Sequence, residues 1–243
     1  MYYDAALGRY VCDAKVNLYF PPEDYERLGF VVEEGKPRIR SRATLESEDL
    51  RHWSLPRMTF FPDEHDQRDA QMYGHIGFPY ESLWLGMLRV LHLERTGWKQ
   101  TEIELTSSRD GRHWSRPNDR RELIPLGEAT GWEPDYSLPV SSAPLLVGDE
   151  LWFYYGGTRA AARDKVSYWA SAVGLAKLRR DGFASLDAGE APGTVVTRPL
   201  TFGGRSLTVN AEVERGGWLK AALLGEDRSE EHTSEIQSPN TIS

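Results

Sequence analysis

The stretch "SEDLRHWSLP" at 47–56 returns as "SRDGRHWSRP" at 108–117, and a chain that writes one turn twice is built from repeated units. Each copy follows a run with strand alternation and precedes another. Within each, Ser and Asp can accept backbone N–H bonds in a tight turn, and the closing Trp can lay its broad face between neighbouring sheets. Trp53 and Trp114 stand 61 positions apart by subtraction, a little more than the roughly 40 to 50 residues of common propeller blades. A third, degraded copy is read in "LRRDGFASLD" at 178–187, in which Asp181-Gly182-Phe183 keeps the turn and Phe is taken to substitute for Trp. His52, His113 and both tryptophans are therefore expected to be scaffold.

Between these turns the chain is a series of short strand signals. They are "YVCDAKVNLYF", "RIRSRATLES", "SLWLGMLRVLHLE", "QTEIELTSS", "LPVSSAPLLV", "ELWFYYGG", "WASAVGLAKLRR" and "LTFGGRSLTVNAEV". "YYDAALGRYVCDAK" reads as strand, turn, strand from the first residues. "PPEDYERLGF", with Pro and acids in front and Gly behind, suits a single helical turn in a loop. An all-β domain with so many strands must close, sandwich or repeat.

Composition narrows the function. A chain of 243 residues with 40% apolar residues can bury a substantial core. A formal charge of -8, without a basic stripe, argues against nucleic acid and favours a neutral or cationic ligand. The single cysteine, Cys12, excludes an internal disulfide and a multi-cysteine metal site. No apolar run approaches the roughly 18 residues of a membrane helix. The sequence leaves compartment and oligomeric state open. The abrupt N-terminal strand is expected to lie inside a longer parent. At the other end, residues 228–238 resemble a translated sequencing adapter, Arg-Ser-Glu-Glu-His-Thr-Ser-Glu-Leu-Gln-Ser, from which only Ile236 departs. Residues 228–243 are accordingly set apart as a non-native tail.

The turns "SEDLRHW" and "SRDGRHW" resemble the Ser-x-Asp-x-x-x-Trp blade turns of five-bladed β-propeller glycoside hydrolases, the arabinanase and xylosidase group and the invertase and levanase group. "DELWFYYGGTR", with the run from "VGLAKLRRDGFASLD" to "SLTVNAEV", is similar to an uncharacterised bacterial branch in which the last blade runs into a β-sandwich. The resemblance covers most of residues 1–227. It implies a partial five-bladed β-propeller at 1–180, N-terminal blade or blades lacking, and the start of a β-sandwich at 181–227. It also implies hydrolysis of a glycosidic bond by carboxyl groups on the propeller axis, one as acid and one as base or nucleophile, with a third tuning their pKa values. The chain lacks the Asn-Asp-Pro-Asn-Gly segment of the first blade and the Arg-Asp-Pro and Glu-Cys motifs of the invertase group. The first carboxylate is then expected from a blade outside this chain or from a different acidic set.

Axis-lining residues should fall where each blade begins, after the connection that follows a Trp turn. After Trp53 that segment offers Asp69, Tyr73, His75 and Glu81, and after Trp114 it offers Trp132, Glu133, Asp135 and Tyr136. Carboxylates bind sugar hydroxyls while rings cover apolar sugar faces. Asp69, Glu133 and Asp135 are therefore the expected catalytic acids, and Tyr73, His75, Trp132 and Tyr136 the expected substrate contacts. Each acid could equally be a loop carboxylate capping a turn. Glu81 reads as hairpin turn, His92 as strand core or face, and His75 could be base, ligand or satisfied interior residue. Asp149 and Glu150 sit in a hairpin turn, and Gly156-Gly157 lacks the Lys of a phosphate loop. No metal or cofactor is expected, and the expected partner is a carbohydrate. A non-catalytic carbohydrate-binding or structural propeller is the alternative.

Overall fold

The computed structural model describes residues 1–5, 7–94, 100–128, 136–139, 143–160, 169–201, 203, 209–225 and 230–237, with backbone alone for 136–139, 159–160, 169–170 and 230–237. The chain divides into two compact units, Met1–Ala184 and Ser185–Ser243. Among the described residues it is all-β apart from one short helix and one 3-10 turn.

In the first unit the strands fall into three successive meanders. The first is the sheet β1 (Tyr2–Asp4), β2 (Arg9–Leu18), β3 (Ile39–Ser47) and β4 (Arg57–Phe60), in that spatial order. The second runs β5 (Ala70–Tyr80), β6 (Leu83–His92), β7 (Gln100–Ser108) and the two-residue β8 (Trp114–Ser115). The third comprises β10 (Tyr136–Pro139), β11 (Leu145–Val147), β12 (Glu150–Ala160) and β13 (Trp169–Arg179), with β10 and β11 both pairing β12. The far edge of β7 is shared: β8 covers its last residues, β9 (Glu122–Ile124) its middle, and β10 meets it in parallel at Tyr136 opposite Thr101. That contact joins the second and third meanders into one nine-stranded sheet.

The repeated turn closes the first two meanders with the same bonds. Ser47 Oγ accepts the N–H groups of Asp49 and Leu50, and Asp49 Oδ1 accepts those of Arg51 and His52, the latter two at 2.8 Å. Ser108 and Asp110 repeat this with Asp110, Gly111, Arg112 and His113. The third copy keeps the turn at Asp181–Gly182 but has Arg179 at the serine position, and Asp181 takes the Tyr80 hydroxyl at 2.5 Å instead.

Two cores flank the second meander. Toward the first meander, Phe60 packs with Ala70, Met72, Leu88, Val90 and the Trp114 ring. Toward the third, Phe78, Leu85, Met87 and Ile103 meet Leu151, Phe153 and Tyr155. A Cβ on Gly77 would lie 2.8 Å from the Trp114 ring, so only glycine leaves room for this tryptophan. At Tyr73 β5 carries a bulge, for the register passes from Met72 opposite Val90 to Gly74 opposite Arg89. The extra residue reverses the alternation, so Ala70 and Met72 before it and His75 and Gly77 after it face the same core.

Three elements differ from expectation. The single helical turn is a seven-residue helix α1 (Pro22–Leu28), ended by Gly29 at φ 77° and anchored by buried Tyr25, whose hydroxyl donates to Pro37 O at 2.8 Å. The run "LTFGGRSLTVNAEV" forms no strand in its described residues beyond a bridge at Ala211. In the second unit, β14 (Trp218–Leu224) pairs antiparallel with β15 (Glu230–Gln237), which falls in the adapter-like segment. Among the described residues no helix is long and apolar enough to cross a membrane.

Candidate functional site

Where β5 begins, β6 ends and β7 begins, three ionisable side chains form a chain of contacts. Asp69, immediately ahead of β5, accepts the Glu94 N–H on Oδ2 at 2.8 Å and meets His92 Nδ1 with Oδ1 at 3.4 Å. His92 Nε2 lies 2.9 Å from Glu102 Oε1. All three are buried. The local sequence explains the gathering: β5 and β6 pair Ala70 with His92, and β6 and β7 pair Val90 with Glu102, so a short hairpin and the next strand stack one end of each on the others. An imidazole so placed donates to both carboxylates when cationic and to one when neutral. It can fix the orientation of both carboxyl groups and pass a proton between them. It holds them on opposite sides of its ring, and among the described residues no three His, Cys, Asp or Glu side chains converge as metal ligands would.

Beside this relay lies a layer of buried arginines. Arg40 bonds Gln71 Oε1 and, at 2.9 Å, Glu33 Oε2. Arg42 pairs with Asp13 and reaches the Tyr73 carbonyl at 3.4 Å. The Tyr73 ring, raised by the bulge, has the Arg89 guanidinium 4.5 Å and that of Arg40 5.7 Å from its centroid. His75 is enclosed by the Phe60 and Trp114 rings, 4.7 and 4.6 Å between centroids, with Nε2 3.0 Å from Thr106 Oγ1 and Nδ1 3.7 Å from Asp13 Oδ2. Burial holds its pKa below the ordinary imidazole value, against the opposing pull of Asp13.

Of the residues expected from sequence, the structure places Tyr73 and His75 on β5 and Asp69 in the turn just ahead of it, and Glu81 in the β5–β6 turn at φ 49°. Trp132, Glu133 and Asp135 lie outside the described residues. Tyr136 is described by its backbone, which is paired opposite Thr101, the neighbour of Glu102. Sequence reading missed Glu102 and Arg40 and left His92 as strand core or face. Glu102 and Glu104 alternate with Ile103 and Leu105, the pattern of a strand with one wet face; both are buried because the second meander is covered on both sides. Glu104 is held by Arg116, which grips it and Asp66 with two bonds each, all 2.7–2.8 Å. A shallow hollow lined by Phe78, Tyr80, Glu81, Pro144, Leu151 and Arg180 opens at the opposite end of β5. Its charged groups, Glu81 and Arg180, pair at 3.2 Å, and the chemistry-bearing carboxyl groups are a strand length away.

These features define an all-β, propeller-like protein of successive antiparallel meanders, each ending in a bonded polar turn. No family model matches the sequence, and a search of curated proteins gives no match. Among solved structures, the chain is similar to an N-acetylgalactosamine deacetylase from F. plautii in complex with blood group B trisaccharide, with a TM-score of 0.51 and 13% identity over 75% of this chain and 49% of that one. The chain thus spans about half the length of the deacetylase, and at this identity the likeness speaks to the fold. A sucrose-6-phosphate hydrolase from Lactobacillus gasseri matches 51% of the chain and 23% of its own length at 16% identity, with a TM-score of 0.34, too low to carry an argument.

Proposed function

We propose that this chain is part of a carbohydrate-active enzyme that hydrolyses a glycosidic bond with carboxyl groups at the end of the sheets where β5 begins. The observation that supports it best is Asp69, fixed at the head of β5 by a backbone N–H and by an imidazole that Glu102 backs. Asp69 is one carboxyl group of the pair and Glu133 or Asp135 the other. The pairing of Tyr136 with Thr101 favours this, since it brings the start of β10 beside the end of β7 that carries Glu102. One carboxylic acid protonates the leaving oxygen while the carboxylate opposite activates water or attacks the sugar carbon. Tyr73, Trp132 and Tyr136 border the sugar, and His75 supports them from the interior. The deacetylase whose fold is similar was solved with a trisaccharide, which agrees with a carbohydrate ligand here.

The test is turnover of aryl glycosides by the unsubstituted chain, Asp69→Asn and Glu102→Gln. Loss of a general acid or base is expected to cost about 10²–10⁴-fold in rate for Asp69→Asn. One observation favours the alternative of glycan binding without cleavage: Asp69 and Glu102 are buried and both engage His92. Glycan binding with no turnover, unaltered by Asp69→Asn, is the result that would establish that reading.

A further inference from the structure

The turn at 33–36 and the start of β3 gather cations in excess of the carboxylates that meet them. Glu33 and Lys36 face each other across a turn with Gly35 at φ 70°. Glu33 then takes Lys36 Nζ at 3.4 Å, Arg38 at 4.0 Å and Arg40 at 2.9 Å. Among the described residues it is the one carboxylate ion-paired with any of these three; with Glu34 of the same turn counted, the group carries a surplus of one positive charge. Glu34, at the tip of the turn, is exposed. The Nε groups of Arg38 and Arg40 are buried without a hydrogen-bond partner, and the Arg40 side chain is 6% exposed. The partly exposed groups of the cluster, the Lys36 ammonium and the Arg38 guanidinium, are the ones a ligand oxygen can reach, and an anionic oxygen is the acceptor that bonds them most strongly.

The place of the cluster matters as much as its charge. Arg40 bonds Gln71, two residues along β5 from Asp69, which at about 3.3 Å per residue is roughly 7 Å of strand, close to the length of one sugar unit. The bulge at Tyr73 lifts its ring against Arg40 and Arg89. A bulge beside a site re-aims a side chain that a regular strand would turn elsewhere.

We propose that Lys36, Arg38 and Arg40, with Tyr73 as wall, bind an oxyanion substituent, carboxylate or phosphate, of a sugar ligand. The proposal rests on the carbohydrate reading above and names its substrate class. It overrides the preference for a neutral or cationic ligand drawn from the net charge of -8, because a ligand meets the local field of its site before that of the distant surface.

Isothermal titration with glucuronate, glucose 6-phosphate and glucose at low ionic strength tests it, on the unsubstituted chain, Arg38→Gln and Lys36→Gln. Arg38 is the more informative position because its side chain, 23% exposed, can be shortened with less risk to the fold than that of Arg40. At least one charged sugar is expected to bind ten times more tightly than glucose or better, and the preferred one tells carboxylate from phosphate. Arg38→Gln should weaken that binding about 10- to 100-fold at unchanged melting temperature, and added salt should weaken it too. Charged sugars binding no better than glucose, or a preference that survives both substitutions, overturn the proposal. Repeating the titration on Asp69→Asn separates the two readings. Anion preference without turnover in the unsubstituted chain sinks hydrolysis alone, and turnover without anion preference sinks this site alone.

Discussion

Replacing Arg116 by methionine should destabilise the first unit by about 3–5 kcal/mol at neutral pH, the cost of removing one partner from a buried ion pair. The guanidinium makes four bonds to Glu104 and Asp66, and the side chains of all three are at most 8% exposed. Asp66 would keep Arg120 at 2.9 Å, whereas Glu104 would lose its partner. Burial already raises the Glu104 pKa above the ordinary carboxylate value, and Arg116 pulls it down; without Arg116 it rises further. A carboxyl group with a raised folded pKa contributes stability below its unfolded pKa and loses it as pH rises through the folded value. The penalty of Arg116→Met is therefore largest at neutral pH and shrinks on acidification. Calorimetry at about pH 7.5 should show a melting temperature lower by roughly 6–20 °C, taking 2–4 °C per kcal/mol for a unit of this size, with a smaller gap at about pH 5. A variant within about 1 kcal/mol of the parent at neutral pH, or a gap that widens in acid, would show that Glu104 does not depend on Arg116.

The repeated turn offers a matched pair of tests. Leu50 and Gly111 occupy the same left-handed position, at φ 62° and 69°; Leu50→Gly should stabilise by about 0.5–1 kcal/mol in urea titration, since strain of roughly 1–2 kcal/mol is relieved and part is returned as unfolded-chain entropy. Gly111→Ala should destabilise by about 1–2 kcal/mol, because its Cβ would also press to 3.2 Å from the Trp84 ring. The His52 and Arg51 N–H groups and the His52 ring hold Asp49 well below the ordinary carboxylate range; burial pushes Asp110 up, but the corresponding bonds from His113, Arg112 and Ser108 outweigh it. A lowered folded pKa gives stability above the unfolded pKa that is lost as pH falls through the folded one, so Asp49→Asn/Asp110→Asn should melt with a flatter pH dependence below about pH 4. An acid limb as steep as the parent's would contradict that.

The repeated turn was legible because its logic is local: Ser, Asp and the backbone N–H groups that they cap lie within a few residues of one another, so the sequence carries the whole bonding pattern. Strand alternation carried β2, β3, β6, β7, β12 and β13 for the same reason. The helix was under-read because its second turn depends on Tyr25 reaching Pro37 and Phe20, which a window of sequence does not show. The start of β5 was put forward as a candidate through its place after the Trp turn, which named Asp69. Its companions were not, because Glu102 and Arg40 are polar residues on strands whose burial depends on the neighbouring meander. In isolation Glu102–Ile103–Glu104 reads as a half-wet strand, and only the sheet on its other side makes it a buried acid beside an imidazole. The bulge at Tyr73 has no sequence mark beyond the following Gly74, a residue common at bulges and elsewhere.

If a carbohydrate sits at the end of the sheets where β5 begins, the four methionines will report it in methyl NMR of [methyl-¹³C]methionine-labelled chain titrated with neutral and acidic oligosaccharides. Met72, which stands between Gln71 and Tyr73 in β5, is buried in the core toward the first meander, Met87 lies in the core toward the third, and Met58 is exposed on β4. A bound oligosaccharide is expected to shift the Met72 signal and leave Met58 and Met87 in place. Saturable shifts at Met87 or Met58 with Met72 unmoved would put the ligand elsewhere and contradict that placement.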